Sequence, residues 1–178
     1  MSIALLSRVA LGSLLAYEGV CAVERFNNRV NVFGLAKERA RAIGRPLLVV
    51  GAPEAGIHTR LFPAYDCGDL CVDINGCGTC PHQAMIDVTK PIPLASDSMV
   101  VYESCVLECC DDPVAAWNEL ARVAGSPENH FHVRVQPGTL TSRLYPGCKW
   151  TTVDTEPKEV DPLPTLGALG LLTFGSFL

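Results

Sequence analysis

The sequence has little positive charge, and that charge is dispersed. Its 178 residues carry a formal net charge of -5, and its densest basic stretch, Lys37, Arg39 and Arg41, is interrupted by Glu38. Binding to a phosphate backbone needs a concentrated positive patch. We therefore predict that nucleic acid is not a partner of this chain.

A complete G-x-G-x-x-G loop is also missing, and no internal repeat is present. The missing loop disfavours an ordinary dinucleotide-binding domain. The length suits one domain with short extensions, and a domain of this size can bury a core without disulfides or metals to staple it.

No apolar run in the sequence is long enough to cross a bilayer without interruption. Arg8 and Glu18 interrupt the segment Ile3–Val23, and its uninterrupted part, Val9–Tyr17, is shorter than the ~20 residues that a span needs. Three interpretations of residues 1–28 stay open. These residues form a membrane anchor or membrane-surface helix, a helix that packs on the domain or on a partner, or a cleaved signal.

Apolar runs alternate with helical repeats along the middle of the chain. Helices are predicted over Phe33–Ile43 and Pro113–Ala124, the second capped by Asp111 or Asp112 and ended by Gly125. The alternation indicates a parallel sheet with right-handed crossovers. Its five predicted strands are Leu47–Val50, Leu70–Ile74, Ala84–Val88, Met99–Val106 and Phe131–Val135.

The composition changes from Thr151 onward. The stretch Asp154–Pro164 holds three prolines and four acids, which is typical of an extended linker. The apolar stretch Leu166–Leu178 is too short for an ordinary membrane span. We therefore predict that residues 151–178 form a linker and an apolar tail that docks on the domain, on another subunit or on a bilayer surface.

The first two predicted strands are followed by residues that suit a nucleotide-like ligand. Such a ligand lies at the carboxyl ends of parallel strands, and an acid after the second strand accepts hydrogen bonds from ribose hydroxyls. The turn after the first strand needs glycine so that the ligand can approach the backbone. Gly51 and Gly56 flank that turn, and Asp73 ends the second run, 22 residues after Gly51.

A longer motif begins at Asp87 and reads DVTKPIPLASDSMVVYESCVLECCDDPVAAWNELARVAG. It has an acid, a Leu-Pro-like turn, Ser98 before a Val-rich strand, an Asp112-Pro113 helix start and a Glu-Leu-x-Arg-Val helix. This pattern resembles the type 11 group of class I S-adenosylmethionine-dependent methyltransferases, over about residues 47–136. The resemblance implies a three-layer αβα Rossmann-like domain, here over residues 29–150. It also implies a shortened sheet, because proline-rich sequence replaces the family's last strand pair.

The resemblance further implies S-adenosylmethionine as cofactor and a role for each matching residue. Gly51 and Gly56 would line the methionine side of the cofactor, and Asp73 would bind its ribose. Asp87 would bind the adenine amino group, with Val88 packed on the ring. Methyl transfer depends on positioning the acceptor more than on a protein nucleophile, so no catalytic residue is assigned.

Ser104, in the segment Glu103–Val106, would form the floor beside the sulfonium. Two positions depart from the family, since Val49 replaces a usual acid and Pro53 a usual glycine. Two functions therefore stay open. One is methyl transfer to a small-molecule or lipid acceptor. The other is an inactive methyltransferase-like scaffold, a pseudoenzyme that joins the protein subunits of a membrane-bound or viral complex through its apolar ends.

The sequence contains 9 cysteines, several of them inside apolar runs. Free cysteines in such runs behave as small hydrophobes, which favours a reducing, intracellular location, with or without membrane association. Cys67, Cys71, Cys77 and Cys80 form C-x3-C-x5-C-x2-C, and only the last pair has the spacing that zinc prefers. We therefore favour free buried or loop thiols over a zinc site, with no metal assigned.

Three further cysteines and two histidines surround the later strands. The segment around Cys105, Cys109 and Cys110 favours thiols packed in the core. His130 and His132 alternate along the fifth strand and therefore share one face, which is interpreted as a strand face rather than a metal pair.

Overall fold

Short apolar runs of the sequence form a five-stranded sheet in the computed structural model, which describes residues 3–53 and 57–134. All neighbouring strands are parallel, in the order β3-β2-β1-β4-β5. The predicted α/β class with a parallel sheet is therefore confirmed. The strands are β1 Leu47–Val50, β2 Leu70–Asp73, β3 Gln83–Met85, β4 Val100–Ser104 and β5 His130–Val133.

Within residues 3–53 and 57–134, three α-helices accompany the sheet: α1 Ile3–Ile43, α2 Ile57–Leu61 and α3 Pro113–Ala124. The described residues also form two short 3-10 helices, Leu107–Cys109 before α3 and Pro127–Asn129 after it. The predicted tail, residues 151–178, and the predicted site residue Gly56 lie outside the described residues.

Helix α1 differs most from the prediction, because it is one continuous helix of 41 residues. Separate helices were expected over Ile3–Val23 and Phe33–Ile43, with a domain boundary after residue 28. The intervening sequence contains neither glycine nor proline, so nothing terminates the helix until Gly44, which adopts a left-handed φ of 65° ahead of Pro46. No helix within the described ranges combines the length and hydrophobicity that crossing a membrane requires.

Four of the five predicted strands, β2 to β5, end earlier than expected, and the ends of β3 and β4 each have a local reason. After β3 the chain turns at Asp87, whose carboxylate accepts hydrogen bonds from the backbone N–H and the hydroxyl of Thr89. The strand β4 stops at Ser104 because Cys105 adopts a left-handed φ of 59°. A left-handed residue cannot continue a strand.

The sheet has a helix on each face, and the alternation within β1 shows this directly. Leu47 and Val49 belong to the buried cluster that contains α1 residues, including Phe33. Leu48 and Val50 belong to the opposite cluster, which contains Leu120 and other residues of α3. Successive side chains of a strand point to opposite faces, so the two clusters lie on opposite sides of the sheet.

Four cysteines are paired, contrary to the expectation of free thiols. Disulfides join Cys67 to Cys80 and Cys71 to Cys77, with Cα–Cα distances of 5.5 and 6.2 Å. A turn at Gly76, with a left-handed φ of 84°, brings the two halves of each pair together. The four sulfurs therefore do not form a zinc set. In the described part of the chain, no group of three or more His, Cys, Asp or Glu side chains is arranged to hold a metal ion.

Gly68 is the glycine whose replacement we expect to damage the fold. Its φ is 60°, and a Cβ there would lie 2.8 Å from both the carbonyl oxygen of Leu47 and Cγ2 of Val49. We expect Gly68→Ala to lower the free energy of unfolding by about 2–3 kcal/mol, since left-handed strain and backbone overlap add. Denaturant titration followed by circular dichroism measures this change.

Gly34→Ala is the matched control, because a Cβ at this position of α1 meets nothing within 4 Å. Alanine in the interior of a helix is favoured over glycine by about 1 kcal/mol, so this variant should gain stability. A similar change in both variants would contradict the packing described around Gly68.

Candidate functional site

A cavity of about 980 Å³ opens at the carboxyl ends of the strands. It spans the junction of β1 and β4, where the strand order reverses, which is the usual ligand position in open parallel sheets. Five of the six predicted cofactor-binding residues line it. These are Gly51, Asp73, Asp87, Val88 and Ser104.

Gly51 allows the loop after β1 to approach the end of β4. Its backbone N–H donates to the carbonyl of Val72, and its φ of 94° is left-handed. A Cβ at this position would lie 2.8 Å from Cγ2 of Val106, so a side chain does not fit. The backbone is therefore bare where it borders the cavity, as a closely approaching ligand requires.

Asp73 ties the first loop to the end of β2. One carboxylate oxygen accepts from the N–H of Ala52 at 3.1 Å, and the other accepts from the N–H of Asn75 at 2.7 Å. A carboxylate has about four acceptor positions, so each oxygen keeps room for a further donor. The side chain is therefore oriented by the backbone and can accept hydrogen bonds from the hydroxyl groups of a ligand in the cavity.

Asp87 is held in its charged form. Its carboxylate accepts from Oγ1 of Thr89 at 2.6 Å and lies 3.1 Å from the ammonium of Lys90. The hydrogen bonds from Thr89, followed by that from Lys90, lower the pKa of Asp87. Val88 beside it is buried against the apolar cluster of α3. An acceptor next to an apolar surface suits an amino-substituted aromatic ring.

The three thiols near β4 line the cavity, and the expected packing role is confirmed only for Cys110, which packs against the apolar cluster that contains α3 residues. Cys105, Cys109 and Cys110 all border the cavity, and Cys109 is exposed. Burial raises the pKa of Cys105, and burial followed by the nearby Glu103 and Asp87 raises that of Cys110 to about 12. Both are therefore neutral thiols at physiological pH.

A buried acid lies beside the cavity, and its pairing with two histidines was not predicted from the sequence. Oε1 of Glu103 lies 2.9 Å from Nε2 of His130 and 3.3 Å from Nδ1 of His132, and all three side chains are buried. The ring of Trp117 stacks on His130 with centroids 4.3 Å apart. The sequence feature that could have indicated this pairing is the acid Glu103 within the apolar run VVYESC, together with the alternating histidines of the fifth strand. Interpreting it needed the register that pairs Glu103 with His132.

The charges of this cluster stabilise one another. Burial alone would raise the pKa of Glu103, but the hydrogen bonds and charges of the two histidines outweigh it and hold the pKa at about 2. Burial would likewise lower the pKa of His132, yet Glu103 raises it. The carboxylate is therefore ionised and paired within the chain.

Known proteins provide no further guide to this site. The chain matches no protein-family profile, and comparison with curated proteins and with solved structures finds no significant similarity to any of them.

The Glu103 cluster predicts how stability changes with pH. Because folding raises the pKa of His132 above 6.5, its contribution is complete below that value and is lost as the pH rises through the folded-state pKa. Because folding lowers the pKa of Glu103 from 4.5 to about 2, its contribution is present above 4.5 and is lost as the pH falls through about 2. We expect Glu103→Gln to cost about 3 kcal/mol at neutral pH and to abolish the decline above pH 6.5.

Denaturant unfolding at a series of pH values measures both effects. Glu119→Gln is the matched control, since Glu119 pairs with Arg122 rather than with a histidine. This control should keep the decline of stability at rising pH. The assignment is wrong if Glu103→Gln and the unaltered protein lose stability in parallel over that range.

Proposed function

We propose that the cavity binds S-adenosylmethionine and that the chain transfers its methyl group to a small-molecule or lipid acceptor. The observation that carries this proposal is the convergence of Gly51, Asp73 and Asp87 on one cavity where the strand order reverses. A sheet with a helix on each face supports a three-layer αβα Rossmann-like domain as its scaffold.

Each part of the cofactor has a matching part of the cavity in this proposal. The ribose hydroxyls donate to Asp73, whose carboxylate is oriented by two backbone N–H groups. The adenine amino group donates to Asp87, and the ring packs on Val88. The methionine part lies over the bare backbone of Gly51 and beside Ser104, at the ends of β1 and β4.

The chemistry needs little from the protein beyond positioning. The cofactor supplies an electrophilic methyl group, and the acceptor attacks it in line with the breaking carbon–sulfur bond. A protein accelerates such a displacement by holding the two reactants in alignment. Helix α1 contributes here because Ala22, Val23 and Phe26 line one side of the cavity with apolar side chains.

Asp73→Asn tests the cofactor site. We expect the unaltered protein to bind S-adenosylmethionine and S-adenosylhomocysteine in a calorimetric titration. In the variant we expect at least a tenfold loss of affinity, because hydrogen bonds to a charged acceptor contribute about 1.5–3 kcal/mol. Circular dichroism of the variant checks that the fold is retained.

Asp112→Asn is the control for this substitution. Asp112 caps α3 by accepting from the N–H of Ala115 and does not line the cavity. Asparagine caps helices about as well as aspartate, so affinity should not change. If the unaltered protein gives no heat of binding at high ligand concentration, the proposed methyltransferase function is wrong.

The second candidate function is an inactive scaffold, and the surface of α1 favours it. Large apolar side chains on this helix are exposed, among them Leu11 at 57% and Leu15 at 63%. Proline at position 53 also removes an N–H from the loop that borders the cavity. Such a scaffold would bind protein subunits or a membrane surface through α1.

Leu11→Ser combined with Leu15→Ser tests the scaffold function. If α1 is a binding surface, we expect this double variant to self-associate less in sedimentation velocity or to float less with lipid vesicles. Burial of apolar area drives both kinds of association. Leu61→Ser is the control, since Leu61 is 68% exposed but lies on α2. Identical behaviour of the two variants and the unaltered chain would remove α1 as a binding surface.

A further inference from the structure

Arg29 brings a half-buried positive charge to the cavity. It lies on α1 and lines the cavity, and its Nη2 donates to Sγ of Cys105 at 3.1 Å. Its Nε is buried and has no hydrogen-bond acceptor among the described residues. A guanidinium carries five N–H donors, so this one is far from satisfied.

The groups around Arg29 do not neutralise it. Cys105 is a neutral thiol because burial raises its pKa. Tyr102 approaches at 3.5 Å, but its hydroxyl donates to the backbone carbonyl of Arg29. Within residues 3–53 and 57–134, Arg29 forms no ion pair with a carboxylate. A half-buried charge that lines a cavity and has no carboxylate partner suits an anionic ligand in that cavity.

The strand order gives the position of this charge relative to the two acids. Asp73 and Asp87 follow β2 and β3, which lie on one side of β1. Arg29 contacts Cys105, which follows β4 on the other side of β1. The backbone of Gly51 is uncovered at this end of the cavity, since a Cβ on Gly51 would contact Val106. The cavity therefore has acceptors at one end and a guanidinium at the other.

We propose that Arg29 binds the α-carboxylate of the methionine part of S-adenosylmethionine. The inference rests on the proposed function and assigns to α1 a part of the cofactor site. A planar guanidinium matches a carboxylate with two parallel hydrogen bonds, and the two Nη atoms of Arg29 carry further N–H groups besides the one donated to Cys105. The ligand class is thus an adenosyl amino acid and not an adenosyl compound in general.

The test compares S-adenosylhomocysteine with its decarboxylated form, S-adenosyl-3-thiopropylamine, which differs only in the carboxylate. Calorimetry on the unaltered protein should show about 10- to 100-fold tighter binding of the carboxylated ligand. Arg29→Gln should lose that discrimination and bind both ligands with similar affinity. Arg39→Gln is the control, because Arg39 also lies on α1 but pairs with Glu128 and does not line the cavity, and it should discriminate as the unaltered protein does.

The outcomes separate this proposal from the proposed function. If neither ligand binds the unaltered protein, the proposed function fails, and this proposal fails with it. If both bind equally well to the unaltered protein, the cofactor site stands and the role of Arg29 is overturned, even where Arg29→Gln does not fold. Retained discrimination in a folded Arg29→Gln protein also overturns it.

Discussion

Parallel pairing of the strands is the constraint on which the remaining structure depends. Parallel strands place all their carboxyl ends at one edge of the sheet, so the residues that follow each strand meet there. The order β3-β2-β1-β4-β5 then opens a gap between the connections leaving β1 and β4. Gly51, Asp73 and Ser104 lie far apart in sequence but border one cavity because each ends or follows a strand of this sheet.

Helix α1 extends that constraint beyond the sheet. Near its C-terminal end, Val32, Phe33, Ala36 and Ala40 are buried against β1 and β4, which fixes the helix on one face. A continuous helix transmits this position along its axis, at about 1.5 Å per residue. Arg29, one turn before Val32, is therefore placed beside the cavity by the same packing that builds the core.

Local signals in the sequence predicted much of this structure. The strand Leu47–Val50 and the helix Pro113–Ala124, with its cap at Asp112, have the predicted bounds, because apolar runs, caps and glycine act within a few residues. The disulfides were not predicted, since spacing does not specify which cysteines meet. The contact of Arg29 with Cys105 was not predictable either. It joins residues 76 apart and depends on a helix that crosses the expected domain boundary.

A buried charge and a half-buried charge lie near the end of β4, and they differ in how they are balanced. Glu103 is fully buried, but two histidines of the neighbouring strand hold its charge within the chain. Arg29 faces a neutral thiol and keeps an unsatisfied Nε. Burial without a partner destabilises a fold, and it persists where a ligand supplies the missing charge. The first charge is therefore balanced within the chain, whereas the carboxylate that we propose as a ligand would balance the second.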